Sequence, residues 1–164
     1  PKVTTFYAYS NSFTGIFPAI NLAECTIFDI HSNGFTEIAV GFDLPKVQYF
    51  YAYSNSITGA LPNLTIPFIR RLWIDDNSFT AISNIYDSIT NLTEHIEIRN
   101  NALPQTEIDG IVNAVEVSNS TAGQKRLHME GGTNAAPSAT WSCTTWAEVP
   151  SIPRPFRCKI AASS

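Results

Sequence analysis

The sequence predicts an α/β solenoid of short parallel strands stacked in register. Its return path is mostly irregular or 3₁₀, with one α-helix near residues 104–117. Three observations lead there. Phe6-Tyr7-Ala8-Tyr9-Ser10-Asn11-Ser12 recurs unchanged as Phe50-Tyr51-Ala52-Tyr53-Ser54-Asn55-Ser56, 44 residues later. Half that interval falls on Cys25-Thr26-Ile27-Phe28-Asp29-Ile30-His31-Ser32-Asn33, and a further 22 residues beyond the second copy lead through Ile69-Arg70-Arg71-Leu72-Trp73-Ile74-Asp75-Asp76-Asn77. Where this spacing finally breaks, between Thr93 and Gln124, the extra length is amphipathic at helical period. Self-similarity at about 20–29 residues marks a repeat architecture whose units bury their apolar faces against one another.

Six units align residue by residue. A first apolar column runs Val3, Cys25, Val47, Ile69 and, weakly, Thr93 and Gln124. The second holds Phe6, Phe28, Phe50, Leu72, Ile96 and Leu127, and the third Ala8, Ile30, Ala52, Ile74, Ile98 and Met129. An asparagine column follows at Asn11, Asn33, Asn55, Asn77 and Asn101, with Gly132 in the sixth unit, and then Phe13, Phe35, Ile57, Phe79 and Leu103. The pattern resembles the leucine-rich repeat, whose unit reads L-x-x-L-x-L-x-x-N-x-L. Apolar residues two apart face one side of a strand. The asparagine sits where the chain leaves that strand, and its amide can bond backbone groups that no ladder satisfies. Stacked in register, these asparagines should form a structural hydrogen-bonded ladder.

Between strands the chain returns through 15–24, 36–46, 59–68 and 81–92. Pro18, Pro45, Pro62 and Pro67 disfavour long helices there, so short 3₁₀ turns and extended segments are expected. Ile108, Ile111, Val112 and Val115 fall at i, i+3, i+4 and i+7 behind Pro104, predicting a convex-side helix over 104–117. Gly110 within it costs about 1 kcal/mol against alanine and should be held by packing. Residues 1–138 read as the solenoid. The segment 139–164 fits no repeat and reads as a C-terminal cap or an extended arm carrying Trp141, Trp146 and Phe156 among prolines.

Composition narrows the function. A formal net charge of −4 with no long run of either sign argues against nucleic-acid or anionic-membrane partners, and no apolar stretch is long enough to span a bilayer. Of three cysteines, Cys25 occupies an apolar column and reads as a buried thiol, while Cys143 and Cys158 could pair in a disulfide. Neither cofactor nor metal site is expected, since no Cys-x-x-Cys or clustered histidine spacing occurs. Asn63, Asn91 and Asn119 each match the glycosylation acceptor pattern. With a repeat beginning at Val3, the first unit should be covered by a neighbouring subunit or by more of a longer chain.

Function should lie on the strand positions that alternate with the core, the concave face. One column there reads Tyr7, Asp29, Tyr51, Trp73, Glu97, His128; the next Tyr9, His31, Tyr53, Asp75, Arg99, Glu130; a third Thr5, Ile27, Tyr49, Arg71, His95, Arg126. Tyrosine, tryptophan and arginine are the types enriched in binding hot spots, and aromatic platforms also suit sugar rings. Tyr7, Tyr9, Asp29, His31, Tyr49, Tyr51, Tyr53, Arg71, Trp73, Asp75 and Arg99 are therefore the expected ligand-contacting residues, for a protein or a surface glycan. Aromatics also fit strands for their own sake. Asp75, Arg99 and Glu130, and likewise Glu97 and His128, should pair across strands. His31 beside Asp29 and His128 beside Glu97 lack a placed nucleophile or pocket, so catalysis is not expected.

Asn101-Ala-Leu-Pro-Gln-Thr-Glu-Ile-Asp-Gly-Ile-Val with Leu127-His-Met-Glu-Gly-Gly-Thr-Asn-Ala-Ala-Pro-Ser resembles the C-terminal repeat of leucine-rich repeat proteins encoded among tailed-bacteriophage structural genes and in some bacterial surface proteins. This chain departs in having Pro104 where an N-capping serine is usual. The resemblance implies a non-catalytic virion component, a capsid decoration or tail or fibre protein contacting other subunits or a host surface. A secreted or cell-surface bacterial adhesin module is the alternative it implies.

Overall fold

The computed structural model describes residues 2–92, 94–116, 126–136 and 138. In chain order its strands are β1 (Thr5–Tyr7), β2 (Thr14–Phe17), β3 (Ile27–Asp29), β4 (Gly34–Ile38), β5 (Tyr49–Tyr51), β6 (Thr58–Ala60), β7 (Arg71–Trp73), β8 (Ser78–Ala81), β9 (His95–Glu97) and β10 (Arg126–His128), with helix α1 (Gln105–Glu116) before the last. They form a parallel β-solenoid, in which about four turns carry the chain from β1 to β9. One parallel sheet takes the order β1-β3-β5-β7-β9-β10. The arm at 139–164, Cys143, Cys158, Asn119, Thr93 and Gln124 lie outside the described residues. No helix among the described residues is long and apolar enough to cross a membrane.

Register follows the second apolar column residue for residue. Phe6 pairs with Phe28, Phe28 with Phe50, Phe50 with Leu72, Leu72 with Ile96, and Ile96 with Leu127. Each strand is three residues long, so its central side chain enters the core while its two neighbours face out. Phe28, Phe50, Leu72 and Ile96 are fully buried. The rings of Phe6, Phe28 and Phe50 stack at 5.2 and 5.3 Å, each on its counterpart in the next coil. The ladder also runs past the strands: Ala8 N–H donates to Asp29 O, Ile30 N–H to Tyr51 O, Ala52 N–H to Trp73 O and Ile74 N–H to Glu97 O. A slip of one residue would turn every apolar side chain outward, and the column as a whole forbids it.

Leaving the sheet, each coil makes the same left-handed step. Ser10, Ser32, Ser54, Asp76 and Asn100 have φ between 49 and 54°, and each immediately precedes a column asparagine. Short polar side chains tolerate this conformation best after glycine. Asn33 Nδ2 then reaches the carbonyls of Ala8, Ile30 and His31, while its Oδ1 accepts the Phe13 N–H. Asn55, Asn77 and Asn101 repeat the set one coil along, taking the N–H groups of Phe35, Ile57 and Phe79. Asn11, at the first coil, donates only to Ala8 and Tyr9. The ladder is therefore a chain of amides, each bonded to its own coil and the one before.

In the sixth unit the alignment on Gly132 needs correction. Gly132 bridges Asn101 through the backbone, but the ladder amide comes from Asn134, which donates to Ile98 O and Met129 O and accepts the Leu103 N–H. Gly131 and Gly132 hold φ of 81 and 62°. A Cβ on Gly132 would stand 2.6 Å from the Asn100 Cα, so only glycine allows this approach. The chain passes flat against Asn100 and delivers its amide two residues late.

The returns are more regular than expected. β2 pairs with β4 and β6 with β8, so that the expected extended segments are organised into two further two-stranded parallel sheets. Gly15 and Gly59, with φ of 79 and 75°, look like turn residues; instead the register shifts beside each of them and pairing resumes. The 3₁₀ expectation holds at Ser83–Ile85 and Ser88–Asn91. The returns over 15–24, 36–46, 59–68 and 81–92 each end in one tight turn, in which Cys25 N–H bonds Leu22 O, Val47 bonds Leu44, Ile69 bonds Ile66 and Leu92 bonds Ile89. Leu92, fully buried, thus fills the first apolar column where the alignment has Thr93.

Helix α1 matches its sequence pattern. Ile108, Ile111, Val112 and Val115 are all buried, and Pro104 O accepts the N–H groups of Glu107 and Ile108. Gly110 admits the Tyr86 ring, since a Cβ there would lie 2.5 Å from it. The Tyr86 hydroxyl stands 2.9 Å from both Glu107 O and Oε2, and Glu107 Oε2 also accepts the Ile82 N–H. Burial, with the Glu107 hydrogen bond and charge, pushes the Tyr86 phenol far up. The phenol stays neutral and keeps its proton for the carboxylate.

Candidate functional site

All eleven expected contact residues lie on the outer face of the six-stranded sheet or on its continuation. Tyr7 pairs with Asp29, Asp29 with Tyr51, Tyr51 with Trp73 and Trp73 with Glu97, while Tyr49 pairs with Arg71 and Arg71 with His95. Their exposure differs from expectation. Tyr7 and Tyr9 are exposed at 59% and 45%, Tyr49, Tyr51, Tyr53, Arg71, Trp73 and Arg99 are partly buried, and Asp29 and Asp75 are buried. Asp29 sits in register between Tyr7 and Tyr51 and contacts His31, and Asp75 is approached by Arg99, contacts that alternation alone does not reveal.

The face divides into two halves. In the first, Tyr9, His31 and Tyr53 stack with near-parallel rings at centroid spacings of 4.8 and 4.4 Å, close to the spacing of strands. Their flat faces are therefore turned toward one another along the stack. Tyr51 and Tyr53 continue to Trp73 at 4.9 and 5.9 Å. His31 Nδ1 lies 2.5 Å from Asp29 Oδ1, which also accepts the His31 N–H. Burial raises the phenols of Tyr51, against its Arg71 hydrogen bond, and of Tyr53, with Asp29 and Asp75 adding to the second. Both are uncharged hydrogen-bonding groups at neutral pH.

The second half is charged and tightly paired. Arg71 and Arg70 both bridge Glu94, at 2.5 Å each. Arg99 lies 3.8 Å from Asp75 and 3.9 Å from Glu130, as the columns led one to expect, and 2.8 Å from Glu97. Burial raises the Asp75 carboxyl, more than Arg99 lowers it. For Glu97 burial also acts upward, but the close approach of His95 with the charges of His128 and Arg99 outweighs it, so this carboxyl lies below the usual range.

One grouping was legible only in part: Glu97 and His128 pair as their shared column led one to expect, and His95 joins them from another. His95 Nε2 and His128 Nδ1 stand 2.8 and 2.7 Å from the same atom, Glu97 Oε1. His95 and Glu97 are two apart on β9, but His128 comes from β10 across the register pair Glu97–His128. The 33-residue separation of His95 from His128 hides their proximity unless the two columns are read side by side. Imidazole and carboxylate donors of this kind suit a metal ion.

Fold and face together define a parallel β-solenoid with an aromatic and a charged half on one sheet. No family model matches the chain, and neither a curated protein nor a solved structure matches it.

Proposed function

We propose that this chain is a non-catalytic binding module built from six leucine-rich repeats, and that the aromatic half of its sheet engages a protein surface within a larger assembly. The observation that carries the reading is the stack of Tyr9, His31 and Tyr53. Sugar rings are held by the flat faces of aromatic rings, and here both faces of His31 and one face each of Tyr9 and Tyr53 are spent on one another. What remains is a ridge of tyrosine edges beside Trp73 and Arg71, the mixture found in protein hot spots. The resemblance of the last coil to proteins of tailed-bacteriophage structural genes favours a virion as that assembly, with a host surface as a further contact.

Sedimentation of the native source followed by mass spectrometry tests this. The chain should travel with particles in fixed stoichiometry, and a Tyr9→Ser, Tyr53→Ser double variant that folds normally should be released. Recovery as part of a larger anchored polypeptide would instead favour the bacterial adhesin. Retention of the double variant on the particle would remove the aromatic face from the account.

A further inference from the structure

We propose that His95, Glu97 and His128 form a site for a divalent transition-metal ion of the zinc class, at the charged end of the sheet. Three side chains from two neighbouring strands converge there, and their ligand atoms all lie within 4.8 Å of one another. Zinc stands about 2.0–2.2 Å from nitrogen and oxygen ligands, so tetrahedral donors lie about 3.3 Å apart. The two nitrogens now stand 2.7 and 2.8 Å from Glu97 Oε1, a little inside that spacing.

An unsatisfied group points the same way. His95 Nε2 is buried without a hydrogen-bond partner of acceptable geometry among the described residues. His95 Nε2 stands 2.8 Å from Glu97 Oε1 but is not aligned to hydrogen-bond it. An ion between the ring nitrogens and Oε1 would satisfy His95. It would also leave Oε2 facing Arg99 Nε, at 2.8 Å, as an outer partner that orients the carboxylate. Of the nearby cations, Arg71 is held by Glu94, while Arg99 lies nearest Glu97 itself and farther, at 3.8 and 3.9 Å, from Asp75 and Glu130.

Two imidazoles and one carboxylate are the three-ligand set that leaves a fourth position open. His95 and His128 keep 16 and 14% of their side-chain surface exposed, so water can complete the shell from the solvent side. The ordinary alternative is that the three residues form only a protonation-dependent ion-pair cluster.

The test is titration of the full chain, first stripped with chelator, with zinc chloride at pH 7.5, followed by calorimetry and by NMR of the imidazole protons. One equivalent should bind, and the resonances of His95 and His128 should shift together while those of His31 stay fixed. His128→Ala should weaken binding by more than the ~10–100-fold that losing an outer-shell partner costs. No saturable heat with unshifted His95 and His128, or parallel movement of all three histidines, would overturn the proposal. The wild-type NMR result decides the matter even where His128→Ala fails to fold.

Discussion

Removing the amide of Asn101 isolates what the ladder contributes. Its Nδ2 reaches the carbonyls of Ile74, Ile98 and Arg99 at 3.1 Å each, and its Oδ1 accepts the Phe79 N–H at 2.9 Å. In Asn101→Ala the carbonyls keep other donors: Ile74 O retains Asn77, Ile98 O retains Asn134, and Arg99 O retains the Asp76 N–H. Only the N–H of Phe79, a fully buried residue, is orphaned. An unsatisfied buried donor costs about 1–3 kcal/mol, and the lost bonds add about 1 kcal/mol, giving roughly 2–4 kcal/mol. At Asn11 the amide is exposed and accepts no coil's N–H, so Asn11→Ala should cost under about 1 kcal/mol. Asn101→Asp should be worse than alanine, because it keeps the acceptor for Phe79 but turns a carboxylate oxygen onto three carbonyls. Urea unfolding of the three variants measures this. Equal losses at positions 11 and 101, or an aspartate milder than alanine, would refute the ladder as described.

Two further outcomes follow from the same packing. Gly110→Ala should lower stability despite about 1 kcal/mol gained in helix propensity, because the new Cβ meets the Tyr86 ring at 2.5 Å and overpacking costs about 1–3 kcal/mol; thermal unfolding of Gly110→Ala with and without Tyr86→Ala shows whether the ring is the cause. Asp75 has a folded pKa raised above its unfolded value by burial, so its contribution is fully present below the unfolded pKa and lost as pH rises through the folded one. Asp75→Asn should accordingly raise the urea midpoint at pH 7, with the gain vanishing near about pH 3. A gain independent of pH would assign the effect to something other than the charge.

Periodicity was enough to place the parallel sheet, because three-residue strands repeated every 22 residues leave one register that buries Phe28, Phe50 and Leu72 together. The helix was equally plain in Ile108, Ile111, Val112 and Val115. What the sequence hid depended on contacts between units. Asn134 stands two residues off its column because Gly131 and Gly132 pass flat against Asn100, and β2 and β4 pair across a register shift that reads locally as a turn at Gly15. On the outer face the alternation located every tyrosine, yet not that Tyr9 and Tyr53 would clamp His31, since ring orientation is set by the neighbouring coil. The convergence of His95, Glu97 and His128 joins two columns from two strands, which a reading down single columns does not compare.

Site-specific photo-crosslinking tests the central claim most directly. A photoreactive phenylalanine analogue placed at Tyr53 on the aromatic half, and separately at Val40, which is 82% exposed outside the six-stranded sheet, would be irradiated in the native assembly. The account predicts a discrete protein adduct from position 53 and none from position 40. An adduct from position 40 alone would contradict it and move the working surface to the return side of the solenoid.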